Sequence, residues 1–550
     1  MSLFGQKTDR GTRGSRAAEI GGTASLGGWL RRTLRDRGVQ LRLLMCLGTL
    51  AAMLVVVEGW KSPQTWRLGD RPVHGLDDPE QTNRRLLEPG GKIDRGVLNR
   101  IQQIHANQPR SLQRRLLRSG TVAALLTVLL MINGTWLVRT QPAIVGHAGR
   151  LGVFLAMLVL AVAVGRLLSA DPWRAEVIPV LVTVMVFAIA WNQVLAILTA
   201  LTLSLILTLS TVVDIGHFIV MLSVSATAVL PLSQVSSRST VIKVGLWSGL
   251  VFLVVDLGTV AVMAPDVVEV FSNGTQVLWA LRGFLWCLVA GYLVAGSLPF
   301  IESVFGVVTD ISLLEMGDAS HPLLQELVQR APGTYNHSIV VGTIGEAAAD
   351  RIGANGLLVR VGAYFHDIGK MLKPEYFVEN MTEGMKSRHE ELAPAMSTLI
   401  IIGHVKDGVE LARQHSLPQP LLDCIEQHHG TTLVEYFFHR AEEQASDQPD
   451  HRTDALESSF RYPGPRPQTR EAGVMMLADA VESASRALSE PTPKRLKGLV
   501  HQLALERLLD GQFEESGLTL TELHLVEESL TKSLIGIYHG RVTYPKERTA

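Results

Sequence analysis

Long apolar runs separated by short polar breaks fill the first half of the chain, which predicts a bundle of membrane-spanning helices. The first run, LRLLMCLGTLAAMLVVVEGW, covers 41–60 and is long enough to cross the ~30 Å hydrocarbon core of a bilayer. A second apolar block covers 119–305 and divides at charged or turn-forming residues. Its seven runs are 121–138, 151–168, 177–191, 194–213, 216–233, 244–264 and 277–300.

The division of 177–213 is open between one long tilted helix and two shorter ones. A single helix of about 37 residues would be roughly 55 Å long, well over the thickness of the hydrocarbon core. Two helices with a tight turn at Asn192 therefore fit better. The pattern predicts eight spans, the first of them separated from the other seven by a polar region at 61–118.

The first apolar run follows a basic segment that contains Arg31, Arg32 and Arg35, so a signal peptide is the alternative to a membrane anchor. The run is long and no A-x-A-like cleavage site follows it. These two features favour an uncleaved anchor.

Loop charge predicts the orientation of the spans. The loop at 234–243 contains Arg238 and Lys243 and no acidic residue, whereas the loop at 265–276 contains Asp266 and Glu269 and no basic one. Positively charged loops stay in the cytoplasm. The tail at 1–40 and the C-terminal half are therefore expected on the cytoplasmic side of the cell (inner) membrane, and 61–118 on its outer side. Several arginines just before the second span fit this orientation poorly.

Composition agrees with a membrane protein, because 47 % of the residues are hydrophobic and only 19 % are charged, against about 25 % charged in ordinary soluble domains. A net charge of −1 excludes a basic field for a nucleic-acid polymer, and 3 cysteines exclude a disulfide framework. Arg166, Asp256 and Arg282 lie within or near the spans. Charges there are functional candidates by default, although an internal ion pair or interfacial anchoring is the favoured interpretation.

The composition changes near Asp310, where helical patterns with polar faces begin and predict an all-α domain at 310–545. PGT (332–334) precedes a helix that stops at Gly353, and a second helix is expected over 357–371. A surface loop rich in proline, serine and charged residues is expected over 446–469. Further helices are expected near 390–414, 419–429, 434–445, 470–488, 494–509 and 520–539.

An ordered series of imidazoles and carboxylates runs through this domain, on or beside the predicted helices. Neutral imidazoles and carboxylates are ligands that borderline divalent metals accept, and this set is larger than one metal needs. It suffices for two metals with a bridging ligand. Lys370, nearly one turn after the first aspartate, would face the same side and suits a phosphate oxygen. The series is His337, His366, Asp367, His404, His428, His429 and Asp479.

HDIGK (366–370) with its flanking helices resembles the HD phosphohydrolase superfamily. The wider sequence is similar to the bacterial seven-transmembrane HD hydrolases of the PgpH type, which hydrolyse cyclic-di-AMP. That family has one span, an extracytoplasmic domain, seven spans and then the HD domain, in the order predicted here. The segments that carry the resemblance are APGTYNHS (331–338), VGAYFHDIGK (361–370), IIIGHVKDGVELA (400–412), QHHGTTLVEYF (427–437), FRYPGPRPQ (460–468) and VMMLADAVESASRAL (474–488).

The resemblance implies a two-metal phosphodiesterase site with manganese or iron. His337, His366, Asp367 and Asp479 would hold one ion, and Asp367 would bridge to a second. The second ion's other ligands would be His404, His428 and His429. Asp367 and Lys370 are the residues expected to serve catalysis, Lys370 by contacting substrate phosphate. Asn336 stands where the family sometimes has another histidine, and 61–118 is far shorter than the family's sensor domain.

The expected substrate is a cyclic dinucleotide, cyclic-di-AMP, which would be opened to pApA at the membrane surface. Cyclic-di-GMP or an alarmone is the alternative substrate, although no GYP motif follows the histidine pair at 428–429. A membrane receptor with an inactive HD domain is the second alternative, and it would be marked by lost ligands. A transporter function would leave the histidine series unexplained. The sequence does not decide between a monomer and a homodimer.

Overall fold

The computed structural model describes residues 36–59, 76–78, 85–88, 91–107, 112–169, 173–211, 215–233, 237–263, 268, 274–381, 386–446 and 457–539. Nearly all of the predicted N-terminal tail, and 447–456 of the predicted loop, lie outside the described residues. The chain forms two compact units, one of 1–231 with 243–294 and one of 232–242 with 295–550.

The first unit consists mainly of apolar helices. Seven helices in the described part of the chain are long and apolar enough to cross a membrane, and Val177–Ala190 is a shorter apolar helix. The helices from the first apolar run onward are α1 (Arg37–Leu54), α3 (Leu112–Thr140), the short α4 (Pro142–Gly146), α5 (Ala148–Leu168), α6 (Val177–Ala190), α7 (Gln193–Thr211), α8 (Ile215–Val229), α9 (Arg238–Met263) and α10 (Gly274–Phe305), with α2 (Arg95–Asn107) between α1 and α3.

Two helices occupy 177–213, with the break at the residue where the sequence predicts a turn. The side chain of Asn192 accepts a hydrogen bond of 2.9 Å from the backbone N–H of Leu195 and so caps α7. Helix α6 has 14 residues and would extend only about 21 Å. Val180, Leu181 and Val184 are completely buried, so α6 lies in the interior of the bundle.

The polar region between α1 and α3 contains the one pair of named strands in the described residues. β1 (Leu76–Asp77) pairs antiparallel with β2 (Arg85–Leu87), with Leu76 opposite Leu87 and Asp77 opposite Arg85. Next to it, Arg100 on α2 makes an ion pair of 3.0 Å with the buried Asp78. All other named elements in the described residues are helices, which confirms the predicted all-α fold class.

The second unit is an all-helical domain whose helix ends carry recognisable caps. The side chains of Asn355, Thr469 and Thr492 each accept a hydrogen bond from a first-turn N–H of the helix that follows. Its helices are α11 (Asp310–Met316), α12 (Pro322–Arg330), α13 (Pro332–Arg351), α14 (Gly356–Phe365), α15 (Pro394–Gln414), α16 (Gln419–Gln427), α17 (Glu435–Ser446), α18 (Arg470–Arg486), α19 (Pro493–Leu509) and α20 (Leu520–His539).

Helix α13 is central to this domain, because it packs against α14, α18 and α20. Val341, Ile344 and Ala348 on α13 are fully buried, as are Met475 and Ala478 on α18. This apolar contact holds the two helices side by side. It thereby brings their polar side chains together at one end of the contact.

Three local predictions were wrong. Pro332 begins α13 and does not precede it, since proline suits the first position of a helix. The helix expected over 357–371 ends at Phe365 and continues as a 3₁₀ turn at 368–372. The described part of the predicted surface loop is partly buried, because Phe460 is 4 % and Tyr462 8 % exposed. Leu433 also pairs with Arg461 in an isolated β-bridge.

Candidate metal centre

All seven predicted ligands meet in one buried site. They come from α13, the end of α14, α15, the end of α16 and α18, so five separate segments contribute. Six of the seven are at most 7 % exposed, and the His429 side chain is 24 % exposed. Packing of helices that are distant in the chain therefore creates the site.

Asp367 is at the centre, and its two carboxylate oxygens face different histidines. Oδ2 lies 3.2 Å from Nε2 of His366 and 3.6 Å from Nε2 of His337. Oδ1 lies 3.2 Å from Nε2 of His404 and 3.6 Å from Nε2 of His428. The carboxylate thus separates the imidazoles into two pairs.

Asp479 and His429 complete the two groups. Oδ1 of Asp479 lies 3.0 Å from Nε2 of His337 and 3.7 Å from Nε2 of His366, on the Oδ2 side of Asp367. His429 groups with Asp367, His404 and His428 at distances that allow a shared ion. The structure therefore contains two adjacent clusters that could each hold a metal, with Asp367 common to both.

Hydrogen bonds at the outer ring nitrogens orient the four buried imidazoles. Nδ1 of His366, His404 and His428 each contacts the backbone carbonyl three residues earlier, at 2.7, 2.5 and 2.7 Å. Nδ1 of His337 lies 2.5 Å from Oε2 of Glu482. With Nδ1 as the donor, each Nε2 is left as an acceptor pointing inward, which is the arrangement typical of metal-binding histidines.

The donor atoms fit a metal by a second criterion. Nε2 of His337, Nε2 of His366 and Oδ1 of Asp367 are buried and have no hydrogen-bond partner within the described residues. Buried polar atoms are normally satisfied, so such a convergent group requires a bound partner. A divalent cation would satisfy all three.

The pKa shifts differ between the histidines on the two sides of Asp367. Burial alone would lower the pKa of His366, but the carboxylates of Asp367 and Asp479 outweigh it and raise the pKa to about 10. Burial lowers the pKa of His428 to about 4 and that of His429 well below its usual value. The histidine pair at 428–429 is therefore neutral at pH 7, as a metal ligand must be.

Lys370 lies beside the site, but on a 3₁₀ turn and not on the helix that the sequence predicts. Its Nζ is 2.7 Å from Oδ2 of Asp367 and 2.9 Å from Oε1 of Glu379. Burial would lower the pKa of Lys370, but these two carboxylates raise it above its ordinary value. The lysine is thus a fixed cation at the edge of the site, and its contact with phosphate stays a prediction.

The tight turn after Asp367 depends on Gly369. A Cβ at this position would lie only 1.9 Å from the carbonyl oxygen of His404, and 2.6 Å from the backbone nitrogen of Gly408. Only glycine lets the turn approach α15 this closely. The approach places Asp367 against the histidine that α15 carries.

Three residues at the site were not among those predicted from the sequence. Glu482 is three residues after Asp479 on α18, a spacing that places both on one helix face and could have been recognised. Its other oxygen pairs with Arg486 at 2.5 Å. Glu379 and Tyr462 carry no such local signal. The ring of Tyr462 lies 4.3 Å from that of His429 only because a loop distant in the chain folds back over the site.

A cleft of about 360 Å³ opens beside the metal centre. Its walls are rich in aromatic rings, and it includes two of the predicted ligands. Tyr436 at its rim is 71 % exposed. The lining residues are Lys370, Tyr376, Phe377, Val378, Glu379, His389, Ile401, His404, His429, Tyr436, Phe437 and Tyr462.

An all-helical domain with two histidine–aspartate clusters, preceded by a helical membrane unit, defines a membrane HD protein. Residues 334–484 match the HD domain family, and residues 116–309 match the family described as 7TM receptor with intracellular HD hydrolase. The chain belongs to this family of multi-pass membrane proteins. HD domains depend on metals, and the two clusters could bind them.

Relatives with curated names include the cyclic-di-AMP phosphodiesterase PgpH of Listeria monocytogenes serotype 1/2a (strain 10403S). It is 37 % identical over 366 residues, which are 66 % of this chain and 49 % of the relative. The protein of the same name from Bacillus subtilis (strain 168) is 38 % identical over 318 residues, 58 % of this chain and 43 % of the relative. The chain spans about half the length of the curated relatives it matches.

Solved structures of the L. monocytogenes PgpH HD domain also match, and one is a complex with cyclic-di-AMP. That complex is 44 % identical, with a TM-score of 0.38, and covers 41 % of this chain and 100 % of its own. A second structure of the same domain has a TM-score of 0.37 and covers 40 % of this chain and 100 % of its own, again at 44 % identity.

Proposed function

We propose that this chain is a metal-dependent phosphodiesterase that opens the ring of cyclic-di-AMP to the linear dinucleotide pApA. The observation that carries the proposal is the division of the Asp367 carboxylate between two sets of inward-facing imidazoles. A shared carboxylate between two clusters is what a two-ion centre for phosphoester hydrolysis requires. The names of the two PgpH relatives point to cyclic-di-AMP as the substrate.

The seven residues divide between the two ions. His337, His366 and Asp479 would hold one ion and His404, His428 and His429 the other, with Asp367 between them. Two manganese or iron ions, when bound, would lower the pKa of water and neutralise charge on the phosphodiester. All seven side chains are assigned as metal ligands in this proposal, so we assign the attack on phosphorus to water.

Lys370 and the aromatic cleft would hold the substrate. Lys370 lines the cleft and its Nζ contacts Asp367, which suits a charge-assisted contact to a phosphate oxygen next to the ions. The exposed ring of Tyr436 at the rim would stack on an adenine, a contact worth about 1–3 kcal/mol for a base on an aromatic side chain. The HD domain would work on the cytoplasmic side of the inner membrane, as the loop charges indicate.

Hydrolysis by the purified full chain tests this function. The protein in detergent with Mn²⁺ should convert cyclic-di-AMP to pApA, and Asp367→Ala should abolish turnover, since both ions lose a ligand. Asp423→Ala, at a half-buried position of α16 outside the seven predicted ligands, is the matched control and should retain turnover. Cyclic-di-GMP and an alarmone are assayed in parallel. Faster turnover of either compound would identify it as the substrate in place of cyclic-di-AMP. No turnover of any of the three nucleotides would favour an inactive HD domain.

The number of ions is tested separately by elemental analysis. The wild-type chain purified with manganese should contain close to two ions, and His404→Ala should contain close to one, because only the Oδ1 side of Asp367 loses a ligand. His415→Ala, an exposed histidine just after α15, is the control and should keep both. One ion in the wild type, unchanged by His404→Ala, would contradict the two-ion centre.

A further inference from the structure

The membrane unit contains a polar cavity of about 90 Å³ that plays no part in the chemistry above. Among the described residues that line it are two carboxylates, two guanidinium groups and one imidazole. They belong to Glu176, Asp256, Arg174, Arg282 and His217, and all of them lie within the same compact unit. The cavity therefore gathers both signs of charge inside the apolar bundle.

These residues meet at one end of the bundle. Arg174 and Glu176 immediately precede α6, His217 is in the first turn of α8, and Asp256 and Arg282 belong to α9 and α10. Asp256 lies about 9 Å along the helix axis before the end of its apolar span. Arg282 lies about 9 Å after the start of its own span. Both charges thus lie within the predicted depth of the bilayer, where ionised groups are costly and mark functional sites.

Contacts among the lining side chains hold the charges around the cavity. Oε1 of Glu176 lies 3.9 Å from Nε of Arg174 and 3.6 Å from Nε2 of His217. Glu176 is only 2 % exposed. On the opposite side, the amide of Gln276 donates to Oδ2 of Asp256 at 3.4 Å. Each carboxylate is therefore oriented by neighbours on its own side.

Trp279 supplies a second indication of a ligand. Its indole N–H is buried in the cavity wall and has no hydrogen-bond partner within the described residues. The guanidinium of Arg282 lies 3.6 Å from the centre of the Trp279 ring, and this contact holds the guanidinium in place. A buried donor and a fixed cation side by side are suited to an anionic oxygen.

Size and charge balance restrict the ligand. The volume is several times the ~10–15 Å³ that one water needs, so a small organic molecule fits. Among the lining residues that the structure describes, both guanidinium groups and carboxylates are present, so a ligand that carries a cationic and an anionic group matches this lining better than one with a single charge in a medium of low polarity. We propose that the cavity binds a small zwitterion of the amino-acid class, its carboxylate toward Arg282 and Trp279 and its ammonium toward Asp256.

Binding to the full chain in phosphatidylcholine–phosphatidylglycerol nanodiscs tests this site. The standard amino acids are each added at millimolar concentration, and thermal unfolding is followed alongside equilibrium binding of the radiolabelled form of any that respond. At least one amino acid should raise the melting temperature in a saturable way. Acetate and ethylamine, which each carry one charge of the zwitterion, should not.

Variants then locate the binding. Asp256→Asn and Arg282→Gln each remove one charge-assisted contact and should weaken binding about ten- to a hundredfold. Lys243→Gln removes an exposed charge on α9 and should bind like the wild type. The proposal is overturned if no amino acid binds, if acetate or ethylamine binds as tightly, or if both variants bind unchanged. Where a variant does not fold, the wild-type comparison alone decides.

Discussion

The contact between His337 and Glu482 makes the sharpest prediction about the metal centre. Nδ1 of His337 lies 2.5 Å from Oε2 of Glu482, whose side chain is only 4 % exposed. The carboxylate orients the ring so that Nε2 faces Asp367 and Asp479. Glu482→Gln preserves shape and keeps an acceptor, but removes the negative charge.

The expected magnitude follows from the type of bond. A charge-assisted hydrogen bond contributes about 1.5–3 kcal/mol and a neutral one about 0.5–1.5 kcal/mol, so the substitution costs about 1–1.5 kcal/mol. That corresponds to roughly tenfold weaker metal binding, in the range seen when partners of metal-bound histidines are changed. Only the ion on the His337 side should be affected, because the other imidazoles contact backbone carbonyls.

Calorimetric titration of the metal-free full chain with Mn²⁺ measures both binding steps. One step should weaken about tenfold in Glu482→Gln and the other should stay unchanged. Glu442→Gln is the matched control, because Glu442 makes a 3.1 Å contact with His439 on the exposed face of α17. Unchanged affinity in a folded Glu482→Gln protein would show that Glu482 serves only its ion pair with Arg486.

Three further predictions concern the turn after Asp367, its lysine and the topology. Gly369→Ala should destabilise the protein by at least about 2 kcal/mol in chemical unfolding, because the new Cβ would overlap the carbonyl of His404. Gly498→Ala, on a helix face with open space, should instead be neutral or stabilising by up to about 1 kcal/mol, and equal effects would refute the packing argument. Lys370→Ala should slow cyclic-di-AMP turnover roughly ten- to a hundredfold while the exposed Lys373→Ala changes little; equal rates would make Lys370 a structural cation only. A cytoplasm-active reporter fused within the acidic loop at 265–276 should be silent and one fused after 550 active, and the reverse pattern would invert the topology.

Local pattern predicted most of the helices in the part of the chain that the structure describes. Apolar runs and helix caps depend on residues a few positions apart, so helices such as Gln419–Gln427 and Leu520–His539 lie where periodicity predicts them. The ordered histidines and aspartates likewise indicated a candidate metal site, since residue type decides which groups can bind a divalent ion. The 3₁₀ turn that follows the end of α14 at Phe365 was not predicted, because it depends on the close approach of Gly369 to α15.

The pairing of donor atoms within the site depends on tertiary packing. Most helices, the membrane character and the types of candidate ligand could be predicted from the residues alone, because all three follow from short-range chemistry. The division of the Asp367 carboxylate between two pairs of imidazoles, the Glu482 contact and the ring of Tyr462 over His429 depend on how distant segments pack. The polar cavity at Asp256 and Arg282 has the same origin, because residues far apart in the chain become neighbours only when burial of the apolar helix faces brings them together.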